Sequence, residues 1–496
     1  MRNLLSVLLF VAILLPVGAG AQQAEYLAGQ RIKAAVTRLS DPLTENMRAK
    51  ETGAIMAGVG LAWKASVVPQ SAAQAFVPDA GAVIEVVDLR LLLTQIAIQT
   101  GARDHVALVR AQGDREHDVI LLRGGFATLD DLIALSQGTP AQDFVTATPV
   151  GTMLTRPLAI WSDAGLTLGP ADHLILDGES GSFLANLGWL NVAGGWISGN
   201  RGSNTAEPAF NPFVLTAGQG SFTSTNATFQ SLGFGEAAVF GGLSVANNGL
   251  VEPRLASHVT NSTLEDVRTL AMIGTKSTVV TGNRIVASSG PAVLISDARD
   301  TLIAANSLTE LAGSQAIRVT AGSAGVTIDA NSMSGAARTG ILIDRDSRGI
   351  SILDNLVAGS VTSGISVDGA TCVTIKGNLI AGNGGTGIDL TGTDETSVLD
   401  NAVLHNHGSG VLVRDQTAAA RVWVTGNVLM GNRDGLRGAT VGDVTIAGND
   451  LNGQMPRVFA GDFALIAVDW LRDRRNPVPA PMSPPASARC VTAGEG

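Results

Sequence analysis

From about residue 260 the chain runs in short apolar–polar alternations rich in Val, Ile and Thr, separated by Gly, Asn and Ser. A representative unit is Gly325-Val-Thr-Ile-Asp-Ala-Asn331, then Ser332-Met-Ser334, then Gly340-Ile-Leu-Ile-Asp344. Alternation with period two is the signature of a half-buried strand, and the Gly/Asn/Ser breaks are turn signals. One Asn recurs after each β-rich run, at Asn261, Asn283, Asn306, Asn331, Asn355, Asn378, Asn401, Asn427 and Asn449, with spacings of 22 to 26 residues. A small residue followed by a branched aliphatic keeps the same period at Gly340, Gly364, Gly387, Gly410 and Gly435. Two markers sharing one period identify a solenoid. The repeat holds no helix-length 3.6-period segment and no leucine-rich-repeat spacing. Three short strands per ~23-residue coil predict an all-β chain, a right-handed parallel β-helix. Stacked Asn amides at one turn would form a hydrogen-bonded ladder along the axis, which is reason enough for the recurring Asn.

A solenoid needs its ends capped. Residues 22–155 have a different texture and predict a mixed α/β N-terminal cap. It holds helical patterns over Leu89 to Ile98 and Leu129 to Leu135, the latter behind a Thr128/Asp131 capping box. The β-helix is expected over 156–455, with irregular early coils, followed by a C-terminal lid at 456–473. The Pro-rich tail at 474–496 is expected to be disordered. At the other end, Arg2, the apolar run Leu4 to Leu15 and Ala19-Gly-Ala21 form a signal peptide over residues 1–21. This predicts an exported protein, periplasmic in a Gram-negative cell, with no membrane span.

Composition agrees with this picture. Charged residues are 15% against a typical ~25%, hydrophobic residues are 45% and aromatics only 4%, so the core is aliphatic. The net charge is -10 without a Lys/Arg block, which excludes nucleic acid as the expected partner. With only Cys372 and Cys490, a disulfide framework is not expected; a buried thiol and a tail thiol are.

On each Gly-Ile strand the first and third residues after the small one are aliphatic and face the core: Val293/Ile295, Ile317/Val319, Ile341/Ile343, Ile365/Val367, Ile388/Leu390 and Val411/Val413. The second position then faces out (Leu294, Arg318, Leu342, Ser366, Asp389, Leu412, Arg437), and so does the fourth (Ser296, Thr320, Asp344, Asp368, Thr391, Arg414). With coils ~4.8 Å apart, Arg318, Asp344, Asp368, Asp389 and Arg414 make a polar stripe. It suits an extended polysaccharide, or is a solvated face.

Segments ahead of and within the coils resemble a known family. They are Arg156-Pro-Leu-Ala-Ile-Trp-Ser-Asp-Ala164, Gly181-Ser-Phe-Leu-Ala-Asn186, Asn211-Pro-Phe-Val214, Asn226-Ala-Thr-Phe-Gln-Ser-Leu-Gly-Phe234, Asn261-Ser-Thr-Leu264 and Gly340-Ile-Leu-Ile-Asp-Arg-Asp-Ser347. Over roughly residues 120–450 the chain is similar to the periplasmic mannuronan C5-epimerases of alginate assembly. The resemblance implies a right-handed β-helix acting on polymeric mannuronate, with periplasmic polysaccharide-export proteins as partners. The family's Gly-Ile-Asp-Pro-His-Asp motif falls on Ala292-Val-Leu-Ile-Ser-Asp297, so only the final acid survives, as Asp297. The family's Arg position falls on Ala321, with Arg318 three residues earlier.

C5 epimerisation needs three things: a neutralised C6 carboxylate, a base to take the C5 proton, and a donor on the other face. The one Tyr, Tyr26, lies outside the repeat, and none of His173, His258, His405 and His407 falls in the motif coil. The candidate catalytic residues are therefore Asp297, Arg318 (the neutraliser) and Asp389; Arg318, Asp344, Asp368 and Arg414 are the candidate substrate contacts. No cofactor and no metal are expected. Three functions stay open on an anionic or neutral exopolysaccharide: an isomerase of the mannuronan C5-epimerase type, a non-catalytic binding or scaffold member, and a lyase or hydrolase. The last would use outer carboxylates such as Asp344 and Asp368, as a Ca²⁺ site with Asp346 or as an acid pair.

Overall fold

The structure is a computed structural model and describes residues 30–39, 45–63, 81–102, 105–112, 117–201, 210–467 and 490. The expected signal peptide, Tyr26 and all of the Pro-rich tail except Cys490 lie outside these residues.

The chain winds into a coil with three faces. Thr339–Ile343, Arg348–Leu353 and Leu356–Ala358 make one turn, and Ile365–Asp368 starts the next directly above the first strand. Repetition builds three sheets of 15, 13 and 13 strands, here the first, second and third. Pairing between successive coils is parallel; among the described residues antiparallel pairs occur only near the N-terminal end, in Val83–Asp88 with Asp118–Arg123 and Val145–Thr148 with Gly151–Leu154. Parallel pairing begins with Asp118–Arg123 against Leu158–Ile160, upstream of 156 where the change of texture put the start. At the far end Arg457–Gly461 adds one more rung to the first sheet. The helices at Leu89–Thr100 and Leu129–Ser136 form as the pattern predicts, the second with a complete Thr128/Asp131 capping box. Every aliphatic pair from Val293/Ile295 to Val411/Val413 is fully buried inside the coil.

The Asn ladder sits between the second and third sheets. Each rung follows a residue in the left-handed conformation, such as Asp354 before Asn355. Asn355 Nδ2 donates to Asn378 Oδ1 (3.0 Å) and to the Ile328 carbonyl (2.9 Å), while its own Oδ1 accepts from the Asn331 backbone N–H and side chain. The ladder runs from Asn283 to Asn449. Asn261 is not a rung. It takes the left-handed position, and the backbone N–H of Ser262 donates to Asn283 Oδ1.

A second ladder lies at the corner between the third and first sheets: Asn383, Asn406, Asn432 and Gln454. It adds to the crowding that reserves these positions for glycine, where a Cβ would first meet an aliphatic side chain and the next coil's backbone carbonyl. A Cβ on Gly364 would stand 2.8 Å from Asn383 Nδ2, and one on Gly387 or Gly410 would stand 3.0 Å from the next Asn amide. The glycines make room for the core aliphatics and the next coil as well as for the amide column.

Helices cover part of the outside. The helix at Leu89–Thr100 lays Leu89, Leu92, Leu93 and Ile96 on the early rungs of the first sheet, among Phe183, Phe210, Phe213, Phe234 and Phe240. The helices at 30–39 and Glu45–Gly58 lie along the side of the coil, not at its end. Their Ile32, Val36, Leu39, Ile55 and Met56 pack on Leu356, Ala358, Leu379, Ala381, Ala402 and Leu404 of the third sheet.

The two cysteines are joined, contrary to the free thiols expected from their positions. Cys372 and Cys490 form a disulfide with Cα atoms 5.6 Å apart across a sequence separation of 118. The chain end returns to the start of Thr371–Lys376, a contact that spacing alone does not reveal. Closing so long a loop restricts the unfolded chain. Cys490→Ser is expected to lower unfolding free energy by about 2–4 kcal/mol, measured as a shift of the denaturant midpoint. An unshifted midpoint would show that the bridge carries no stability.

Candidate functional site

Beyond the phenylalanine cover, among the described residues no N-terminal helix lies on the outer face of the first sheet, which is open. Its register stacks Leu294, Arg318, Leu342, Ser366, Asp389, Leu412 and Arg437 in one column. Beside it stand Ser296, Thr320, Asp368, Thr391 and Arg414. All are half-buried, each side chain shielded by its neighbours above and below. Six steps of ~4.8 Å make this face roughly 29 Å long.

The predicted charged residues pair diagonally across adjacent coils. Arg318 grips Asp344 through Nε (2.7 Å) and a terminal nitrogen (2.6 Å). Four coils on the first sheet after Arg318, the order of charges is reversed: Arg414 forks onto both oxygens of Asp389, with both contacts at 3.2 Å. Asp389 raises the affinity of the Arg414 guanidinium for its proton above its already high value. Asp368 meets Arg345 at 3.6 Å instead of joining Asp344. The acids are thus divided among three arginines, and among the described residues no group of three His, Cys, Asp or Glu is placed to hold a metal. Asp297 stands apart from the stripe: it is exposed, at a turn with φ 49°, and its N–H donates to the Thr320 carbonyl.

The histidines lie elsewhere. His173 stacks on Trp196 at 3.8 Å on the third sheet, its ring nitrogens engaged by the Val150 carbonyl and the Ser198 hydroxyl. Burial lowers its pKa, partly offset by the Val150 contact. Burial likewise lowers that of His258 on the second sheet. His405 occupies the left-handed position before Asn406, where burial and then Lys33 of the docked helix lower its pKa. His407 is exposed on the same corner. Between Thr269 and Gly461 no described strand of the first sheet carries a His or a Tyr. A separate cleft of about 550 Å³ opens around Arg201, Glu236, Asp266 and Arg268, away from the charged stripe; Arg201 closes on Asp266 at 2.7 Å.

The family model described as a right-handed beta helix region matches residues 241–403 and 350–451. The chain is a right-handed parallel β-helix. Solved structures share this fold. The periplasmic alginate epimerase AlgG superposes with a TM-score of 0.57 at 18% identity, covering 78% of this chain and 94% of AlgG. A single-substitution mutant of AlgG gives 0.58 with the same identity and coverage. A double mutant gives 0.53 at 17% identity, with 85% and 97% covered. No curated protein matches the sequence. Among the described residues of the β-helix and its docked helices, no helix is long and apolar enough to cross a membrane.

The repeat spacing puts the residues of both outer columns where the β-helix stacks them, without showing which charges pair. It missed Arg345 as the partner of Asp368, because Arg345 lies in the turn after the strand and has no counterpart in the repeat.

Proposed function

We propose that the protein handles an exported acidic exopolysaccharide along the open face of the first sheet, in the manner of a mannuronan C5-epimerase-type β-helix working in the periplasm. The observation that carries this reading is the column from Leu294 to Arg437. Leucines at three rungs offer flat apolar contact to sugar C–H faces, and charged or hydroxyl rungs between them offer donors and acceptors. A face of this length takes several sugars at once. Polysaccharide-export proteins would then be its neighbours in the cell.

A second reading, holding the polymer without converting it, is favoured by one specific feature. Epimerisation must move a proton off C5 and return one to the other side. The carboxylates that the described residues place on this face are all engaged by arginines, Asp344, Asp368 and Asp389 by Arg318, Arg345 and Arg414 and Asp434 by three more at its end. Calorimetry with poly-mannuronate is expected to show binding; no heat at any polymer concentration would overturn both readings. Proton NMR of the same mixture in D₂O then separates them. Guluronate signals carrying deuterium at C5 assign conversion, and binding without exchange assigns holding.

A further inference from the structure

At the C-terminal end of the open face, three arginines converge on one carboxylate. Asp434 is fully buried at the start of Asp434–Ala439. Arg457, its register partner on the last rung, reaches its Oδ1 at 2.6 Å. Arg433 and Arg437 reach Oδ2 at 3.5 Å each, and the Ser409 hydroxyl lies at 3.3 Å from the same oxygen. One negative charge is thus surrounded by three positive ones in a chain whose net charge is -10.

The arrangement exceeds what a structural ion pair needs. One guanidinium would neutralise a buried carboxylate, yet three stand here, with Arg437 and the Ser409 hydroxyl donating to Oδ2 while no donor is aligned on Oδ1. Two further guanidiniums held beside the first repel one another unless an anion comes between them. They also remain accessible: the side chains of Arg433, Arg437 and Arg457 are 55%, 39% and 54% exposed. Arg437 is itself the last charged rung of the open column, directly above Leu412. Elsewhere on this face arginines and acids alternate as pairs. Nearby, Asp415 is engaged with Arg414, and Asp462 is exposed past the last strand.

We infer that Arg433, Arg437 and Arg457, pre-set by Asp434, form a carboxylate-binding subsite for an acidic sugar at one end of the groove. A guanidinium fork matches a carboxylate in geometry as well as charge, and each exposed one keeps unused N–H donors facing solvent. This inference rests on the polysaccharide reading above and narrows it: the polymer carries uronic acids, and its chain is anchored by charge at this end, where the central rungs are charge-balanced.

The test uses the full chain and two probes, a short oligomannuronate and a neutral mannose oligomer of equal length. Calorimetry should show the oligouronate binding and the neutral oligomer not, with affinity falling as salt rises. The Arg433→Gln/Arg437→Gln double variant should bind the oligouronate on the order of 100-fold more weakly, about tenfold per lost charge-assisted contact. Both side chains are at the surface, so the fold is expected to survive, which circular dichroism checks. If folding fails, Arg437→Lys takes its place: it keeps the charge but removes the fork, and should weaken binding about tenfold. Unchanged affinity in these variants, or equal affinity for the neutral oligomer, overturns the subsite. The groove reading is scored separately with long poly-mannuronate and Arg318→Gln. Loss of polymer affinity there, with no effect at Arg433 and Arg437, sinks the subsite alone. Tight Arg437-dependent binding of the short oligomer, with no gain for the long polymer, sinks the groove alone.

Discussion

Asn355→Ala is expected to destabilise the coil by on the order of 3–5 kcal/mol. Four side-chain hydrogen bonds disappear together: two into Asn355 Oδ1 from Asn331, and two from its Nδ2, to the Ile328 carbonyl and Asn378 Oδ1. Asn355 is fully buried, so the Asn331 N–H and the Ile328 carbonyl lose their partners where water cannot replace them. Because each coil touches only its neighbours, the loss should appear as a local weakness. Hydrogen exchange of the backbone around 328–331 and 355–378 is the measurement that sees it. Asn355→Asp keeps the acceptor and removes the donor, so it should retain protection at Asn331 while losing it on the Ile328 side. Uniform protection in both variants would mean that the ladder decorates the turn without holding it.

Gly387→Ala should be nearly as damaging, at about 1–3 kcal/mol or somewhat more. The added methyl would lie 2.4 Å from Val403 Cγ1 and 2.7 Å from the Gly410 carbonyl oxygen. The valine can rotate, but the carbonyl belongs to the next coil and cannot move without its strand. Gly58→Ala is the internal control: nothing lies within 4 Å of its new carbon, so it should be neutral or stabilising by up to about 1 kcal/mol. Thermal or denaturant midpoints rank the three proteins. A Gly387→Ala midpoint equal to that of Gly58→Ala would show that the corner has slack.

These two positions also show how much of the molecule could be read in advance. The fold, the core columns and the first ladder are legible because each repeats on every coil. Asn261 misled by one residue, since Asn suits both the left-handed turn position and the rung that follows it. The second ladder was visible in principle: Asn383, Asn406 and Asn432 each follow a first-ladder Asn by five residues. It spans few coils, which hides it beside the longer column. The candidate site was legible as columns but not as pairs. Which arginine reaches which acid depends on diagonal contacts and on turn residues such as Arg345 and Arg433, and the period says nothing about either. The seat of the N-terminal helices was written as apolar residues on both faces of Leu356–Ala358, Leu379–Ala381 and Ala402–Leu404, without any sign of what would cover them.

That seat sets an order of events. Ile32 and Leu356 share one buried cluster although more than 300 positions of sequence separate them. The loop closure it demands is slow to achieve and contributes nothing until the late coils exist. The segment synthesised early must therefore wait, with Ile32, Val36 and Leu39 unsheltered, for a surface made more than 300 residues later. Docking becomes a late step of folding, and a chain halted before Leu404 has helices with no complete place to settle. The strap works as a completion mark: its burial reports that the coil beneath it has been wound.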